Sequence, residues 1–110
     1  MSGYYESGDL PNFPSIGENA PELAQKFFAW YGATFADGAL SAREKSLIAL
    51  AVAHAVKCPY CIDAYTQDSL AKGYDLDQMT EAVHVAAAIT GGAALVHGVQ
   101  MRKVAAQLSM

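Results

Sequence analysis

The chain has 110 residues, 53% of them hydrophobic and 16% charged, with a net charge of −4. That length suits one domain, and the acidic balance excludes the basic face with which proteins displace counterions from nucleic acid. No run approaches 18 consecutive apolar residues, so no membrane-spanning helix is expected, and Met1 to Glu6 lacks the basic start and apolar stretch of a secretory signal.

Residues 1–19 carry Gly3, Gly8, Pro11, Pro14 and Gly17 without a helical or strand period, which predicts an extended N-terminal arm ahead of one helical domain over 20–110. Pro21 suits a first helical turn, and Leu23, Phe27, Phe28, Tyr31 and Phe35 repeat at helical spacing up to Asp37-Gly38. Ser41-Ala42-Arg43-Glu44 has the form of a capping box and opens a second helix. Its body, Leu47 to Val56, is apolar nearly all round, as a buried central helix is. Pro59 opens a third helix that runs to about Lys72, with Gly73 as terminator. Asp75 or Asp77 caps a fourth through Met79, Val83, Ala86 and Ile89, which Gly91-Gly92 is expected to break. A fifth carries Leu95, Val96, Val99, Val104 and Leu108. No segment alternates with period two, so the fold class is all-α with about five helices. The apolar fraction is high for so small a body, and part of it is expected to close against further copies in a homo-oligomer.

The two cysteines form one motif, Cys58-Pro59-Tyr60-Cys61. A structural disulfide across so short a loop removes little unfolded-state entropy. Zinc needs more ligands than two thiols, and His54, His84 and His97 would have to converge from separate helices. Two inert, buried cysteines are the bland alternative. A redox pair accounts for the spacing and the local architecture together. With Cys58 as N-cap and Pro59 as first residue, Cys61 falls in the first turn, where free N–H groups and the helix dipole favour a thiolate; Lys57 adds positive charge. A thiolate beside a resolving thiol attacks a peroxide or a disulfide and then closes a bridge, with no metal or cofactor required. A dithiol of this kind cycles without permanent oxidation in the cytoplasm, which is the expected location.

His54 precedes Cys58 by four residues, about one turn and 6 Å, and is a candidate base; a core histidine bonded to a backbone carbonyl is the alternative. Tyr60 stands between the cysteines, positioned to cover or hydrogen-bond a thiolate. His84 and His97 read as helix-interface residues, and Phe27, Phe28, Trp30 and Tyr31 as core and oligomer contacts.

The stretches Arg43-Glu44-Lys45, Ala49 to His54, Cys58 to Cys61 and Glu81-Ala82-Val83-His84 resemble the alkylhydroperoxidase D-like branch of the carboxymuconolactone decarboxylase superfamily, over residues 20–105. Within that branch, the N-terminal arm and Val96 to Met101 look like the arsenosugar-biosynthesis-associated peroxidase-like proteins. The resemblance implies an all-helical fold assembled as a homotrimer or homohexamer. It implies peroxide reduction at the pair, with Cys61 reacting and Cys58 resolving, assisted by a glutamate and a histidine in a proton relay, whereas the N-cap placement of Cys58 by itself favours Cys58 as the attacking sulfur. Decarboxylases of the superfamily lack the dithiol.

The chain departs from that pattern twice. The relay-histidine position, four residues after Cys61, is Tyr65, and the relay-glutamate position, about twelve before Cys58, is Ser46. Tyr65 is a poor base but a possible proton donor. Glu44 is the nearest carboxylate candidate, although a straight helix sets it roughly 20 Å from Cys58. His54 is expected to supply the function missing at Tyr65. The expected activity is a peroxidase-like oxidoreductase acting on a peroxide or disulfide substrate, with a dithiol as electron donor. The alternatives are a thiol–disulfide reductase or redox adaptor, and a non-catalytic binder of thiophilic ligands such as trivalent arsenic, which vicinal thiols suit.

Overall fold

A computed structural model describes residues 3–109. A 3-10 helix, Leu10–Glu18, leads into five α-helices: α1 (Pro21–Phe35), α2 (Ala42–Ala55), α3 (Pro59–Ala71), α4 (Leu76–Val96) and α5 (Gly98–Leu108). No strand occurs among the described residues, and the fold is all-α. The central element is α2, with α3 on one side and α4 on the other. Leu50 of α2, Tyr74 and Met79 form the buried core, with Leu47 and Tyr65 packed against it.

Local sequence explains the boundaries. The Ser41 and Asp75 side chains cap α2 and α4 in full capping boxes with Glu44 and Gln78. Both turns around α3 are Schellman motifs. At the end of α3, Gly73 has φ +89, Tyr74 N–H donates to Ser69 O, and Gly73 N–H donates to Leu70 O. At the end of α2, Lys57 takes the same role at φ +57, Cys58 N–H donates to Ala53 O, and Lys57 N–H donates to His54 O. The Arg43 guanidinium lies 3.8 Å over the Tyr74 ring and its Nε donates to Lys72 O, tying α2 to the second of these turns.

Two sequence expectations are corrected. The N-terminal arm is not extended throughout: residues 10–18 are helical, with Pro11 in the first turn, and the segment packs on α1 and α3 of its own chain. The fixed φ of proline suits a helix start, and the small Gly17 lets this turn approach α1, whose Ala24 Cβ lies 3.2 Å from where a Cβ at Gly17 would stand. Gly91-Gly92 does not break α4, which continues to Val96 and ends at His97-Gly98. Two glycines cost about 1 kcal/mol each in a helix interior, too little to stop a run rich in alanine. By length and composition alone, Leu76–Leu108 is apolar enough to cross a membrane, with mean hydropathy 1.5 in its most apolar window. A search for unbroken apolar runs stops at His84 and Thr90, whereas an average tolerates isolated polar residues.

The chain is elongated. Its radius of gyration is 18.9 Å and its extents are 60 × 39 × 36 Å, against about 13 Å expected for a closed domain of this length. The excess lies in α4 and α5, which leave Ile89, Leu95, Val99, Val104 and Leu108 exposed.

Candidate active site at the cysteine pair

The turn at Lys57 ends α2 and sets Cys58 as N-cap of α3, with Pro59 at its first position. The Cys61 N–H donates to Cys58 Sγ at 3.3 Å, and the two sulfurs, both free thiols, lie 2.8 Å apart. The amide that favours an anionic sulfur at this helix start is therefore aimed at Cys58. Burial, and then the hydrogen bond and charge of Cys58, push the Cys61 thiol up to about 11. The two sulfurs are close enough for a bridge, and the geometry separates their roles.

Cys61 looks into three hollows. A cavity of about 420 Å³ runs along α3 past Tyr60 and Tyr65 and is walled by Phe13, Phe28 and Phe35. A second, about 380 Å³, lies between α1 and α2 on the far side of Tyr31 and Tyr65. A third, about 530 Å³, opens over Cys58, Tyr60 and Cys61 beneath the 3-10 helix, with Asp9 and Asn12 on its rim. Tyr60 meets Tyr5 edge to face at 4.6 Å, and burial raises its hydroxyl above the usual tyrosine value. The Tyr5 hydroxyl donates to the Asp63 carboxylate, which holds Tyr5 up at about 12 and Asp63 below the usual carboxylate range. These contacts fasten the N-terminal segment beside the thiols.

Tyr65 also lines the first two hollows with Cys61. Its hydroxyl is hydrogen-bonded to that of Tyr31, and its ring stacks on Phe35 at 5.1 Å. Burial, then the bond to Tyr31, pushes its hydroxyl far above the ordinary tyrosine value, so it holds its proton.

Two expected relay residues are engaged elsewhere. His54 donates from Nδ1 to Leu50 O at 2.8 Å within its own helix and lines none of the three hollows at Cys61. Glu44 is exposed and accepts the Ser41 N–H at 2.9 Å; Ser41 holds its carboxyl below the usual range. It borders a groove between α2 and α4 with Leu47, Ala51 and Val85, which Cys61 does not line. Ser46, at the relay-glutamate position, is fully buried against Ser69.

Sequence reasoning read Tyr31 as a core or oligomer contact and did not single out Asp68. The latter lines the first cavity and pairs with Lys72 at 2.6 Å. Asp68 follows Cys61 by seven residues and Tyr65 by three, a helix-face pattern visible in the sequence once Cys61 is the reference. Among the described residues, no three His, Cys, Asp or Glu side chains gather as a metal site.

Comparison with known proteins identifies the lineage of this arrangement. The model of the carboxymuconolactone decarboxylase family matches residues 21–103. The chain belongs to the carboxymuconolactone decarboxylase family. It is 45% identical over 86 residues to "Uncharacterized protein 4 in cox locus" of Paracoccus denitrificans, covering 76% of this chain and 78% of the relative. A crystal structure of a Methanobacterium thermoautotrophicum protein aligns with TM-score 0.75 and 32% identity, covering 78% of this chain and 97% of that one. In this member of the carboxymuconolactone decarboxylase family, the matched region contains α1 to α4, both cysteines and the Tyr31–Tyr65 pair, whereas the 3-10 helix over the thiols precedes it.

Proposed function

We propose that the protein is a dithiol peroxidase of the alkylhydroperoxidase D-like branch, in the line of the arsenosugar-associated peroxidase-like proteins. The observation that carries this reading is the pair of free thiols, 2.8 Å apart, with Cys61 opening into an aromatic-walled cavity of about 420 Å³. The Cys58 sulfur accepts the Cys61 N–H and stands 2.8 Å from the Cys61 sulfur, in place to take up the Cys61 proton once its own has left to solvent. Cys61 passes its proton to Cys58 as its sulfur attacks the outer oxygen of the hydroperoxide. The O–O bond breaks, Cys61 becomes a sulfenic acid, and the leaving alkoxide takes up one proton to depart as alcohol. Cys58, now a thiol, attacks the Cys61 sulfur, expels water and closes the disulfide. An external dithiol reduces that bridge and is itself oxidised to a disulfide.

In this cycle the catalytic residues are Cys61 and Cys58, with Tyr60 and Tyr65 beside them. His54 and Glu44 stay outside it, because neither lines a hollow at Cys61. The dithiol is what favours redox chemistry over decarboxylation within the family. The reading includes a homotrimer or homohexamer, supported by the apolar face of α4 and α5, and a cytoplasmic setting in which small dithiols regenerate the enzyme.

A second reading has its own support. The cleft over Cys58 beneath the 3-10 helix, about 530 Å³, is open enough to admit the cystine of a partner, as a disulfide reductase requires. Peroxide titration of the wild type, Cys58→Ser and Cys61→Ser separates the readings. The peroxidase loses both thiols with one equivalent of hydroperoxide and regains them with a dithiol. Cys58→Ser stops at the sulfenic acid, and Cys61→Ser reacts slowly. Sluggish oxidation with rapid disulfide exchange identifies the reductase, and arsenite retention without oxidation identifies a thiophilic binder.

A further inference from the structure

We propose that the hydrogen-bonded hydroxyls of Tyr31 and Tyr65 are the proton donor to the leaving oxygen when Cys61 attacks, with Tyr31 acting as the positioning residue for Tyr65. The inference rests on Cys61 as the attacking sulfur, and deepens the peroxidase reading by naming the source of its proton.

Four observations carry it. Tyr65 follows Cys61 by one turn of α3, about 6 Å along the axis, and helical side chains lean toward the N-terminus, so Tyr65 leans toward the thiol. Tyr31, Tyr65 and Cys61 together line both hollows between α1 and its neighbours, which brings the hydroxyl pair and the sulfur to one wall. The rings are fixed: Tyr65 stacks on Phe35 at 5.1 Å, and Tyr31 packs on Phe35 at 4.9 Å and on Phe27 at 5.6 Å. Finally, the other acid on this cavity, Asp68, is already bound to Lys72, and His54 and Glu44 lie outside it.

Proton accounting completes the argument. Two phenols carry two O–H groups, and the bond between them uses one. When Tyr31 donates to Tyr65, the Tyr65 O–H remains free for an incoming ligand. Burial keeps Tyr65 protonated far into the alkaline range, so the donor is loaded at neutral pH. As the O–O bond breaks, the departing alkoxide takes the Tyr65 proton. Tyr65 recovers one from Tyr31 along their hydrogen bond, and Tyr31 is reprotonated by water at the cavity mouth. The net uptake is the one proton that the oxidation consumes.

The test exploits the basicity of the leaving group. A tert-alkyl hydroperoxide expels an alkoxide, which needs a proton, whereas a peroxycarboxylic acid expels a carboxylate, which does not. Rate constants for Cys61 oxidation by both are measured on the wild type, Tyr65→Phe and Tyr31→Phe, and their ratio cancels any general loss of reactivity. Each variant keeps its aromatic ring, and helical circular dichroism checks the fold. The ratio of hydroperoxide to peracid rates falls roughly tenfold or more in both variants if the pair is a general acid. An unchanged ratio in Tyr31→Phe overturns the proposal, as does a wild-type ratio equal to that of a free small thiol. Mass analysis of the Cys58–Cys61 bridge reports separately on the dithiol cycle: oxidation without a bridge removes that reading and leaves the donor pair to the ratio.

Discussion

Ser46 and Ser69 meet hydroxyl to hydroxyl at 3.1 Å where α2 crosses α3, and neither has any exposed surface. Short polar side chains let the two helices approach while each satisfies the other. The site where the family resemblance sets a glutamate is thus filled, on all sides, by packing. Ser46→Glu forces a longer, charged group into a space without solvent and is expected to destabilise the reduced protein by about 3 kcal/mol or more. Ser46→Ala removes one hydroxyl and is expected to cost about 1 kcal/mol, because Ser69 keeps the Ser46 carbonyl as an alternative acceptor. Urea unfolding measures both. A Ser46→Glu protein as stable as wild type would mean that the helix crossing is looser than this contact.

The helices and the placing of both cysteines at the start of α3 were legible because their signals are local. Proline at a first helical position, a capping box and a Cys-x-x-Cys pair each specify geometry within four residues. The failures are of three physical kinds. Proline and glycine read as chain breakers in residues 10–18 and at Gly91-Gly92, yet a tight turn accepts the first and an alanine-rich helix carries the second. His54 and Glu44 look chemical by type, but His54 Nδ1 and Glu44 Oε1 each bond backbone within one turn and neither residue lines a hollow at Cys61. Tyr31 read as a core or oligomer contact and Asp68 was not singled out, because their relation to Cys61 depends on packing between α1 and α3, or on knowing which residue to count from.

Lys57 holds φ +57, a left-handed conformation that costs an ordinary L-residue about 1 kcal/mol and glycine almost nothing. Lys57→Gly is therefore expected to stabilise the reduced protein by about 0.5–1 kcal/mol, the gain being limited by the greater freedom of glycine when unfolded. It also removes a cation adjacent to Cys58, so thiol reactivity and stability move in opposite directions. Denaturant midpoints together with iodoacetamide rates check the pair of outcomes. A loss of stability would show that the lysine side chain contributes more than its backbone costs.

The raised Cys61 thiol gives a pH dependence of definite sign. A half-buried thiol whose folded value is raised from 9.0 to about 11 favours the folded state below the lower value. That advantage is lost as pH rises from 9.0 toward 11, because the unfolded chain releases the proton first. The reduced wild type should therefore lose stability across that window, and Cys61→Ala should lose less. Kinetically, Cys58→Ser deprives Cys61 of the neighbouring sulfur that takes its proton, while burial still opposes ionisation. Its peroxide oxidation should be slower than that of the wild type at neutral pH and climb into the alkaline range. Stopped-flow oxidation across pH distinguishes these curves, and superimposable profiles would remove Cys58 as the base.

The last prediction concerns what covers α4 and α5. Leu95 is 81% exposed and Leu108 82% exposed on a pair of helices that pack chiefly against α2 and each other. Burying such side chains contributes roughly 1.5–3 kcal/mol each, and a symmetric assembly repeats the contribution in every copy. Leu95→Asp combined with Val99→Asp should convert the proposed homo-oligomer to monomers in analytical ultracentrifugation. No residue of α4 or α5 lines the three hollows at Cys61, so formation of the Cys58–Cys61 bridge by peroxide should persist in the dissociated protein. A bilayer is the competing cover, since Leu76–Leu108 is long and apolar enough to span one. A wild type that runs as a monomer in buffer and sediments with phosphatidylcholine vesicles would replace the self-assembled interface with a membrane surface. A defined trimer or hexamer that ignores vesicles assigns the face to further copies of this chain.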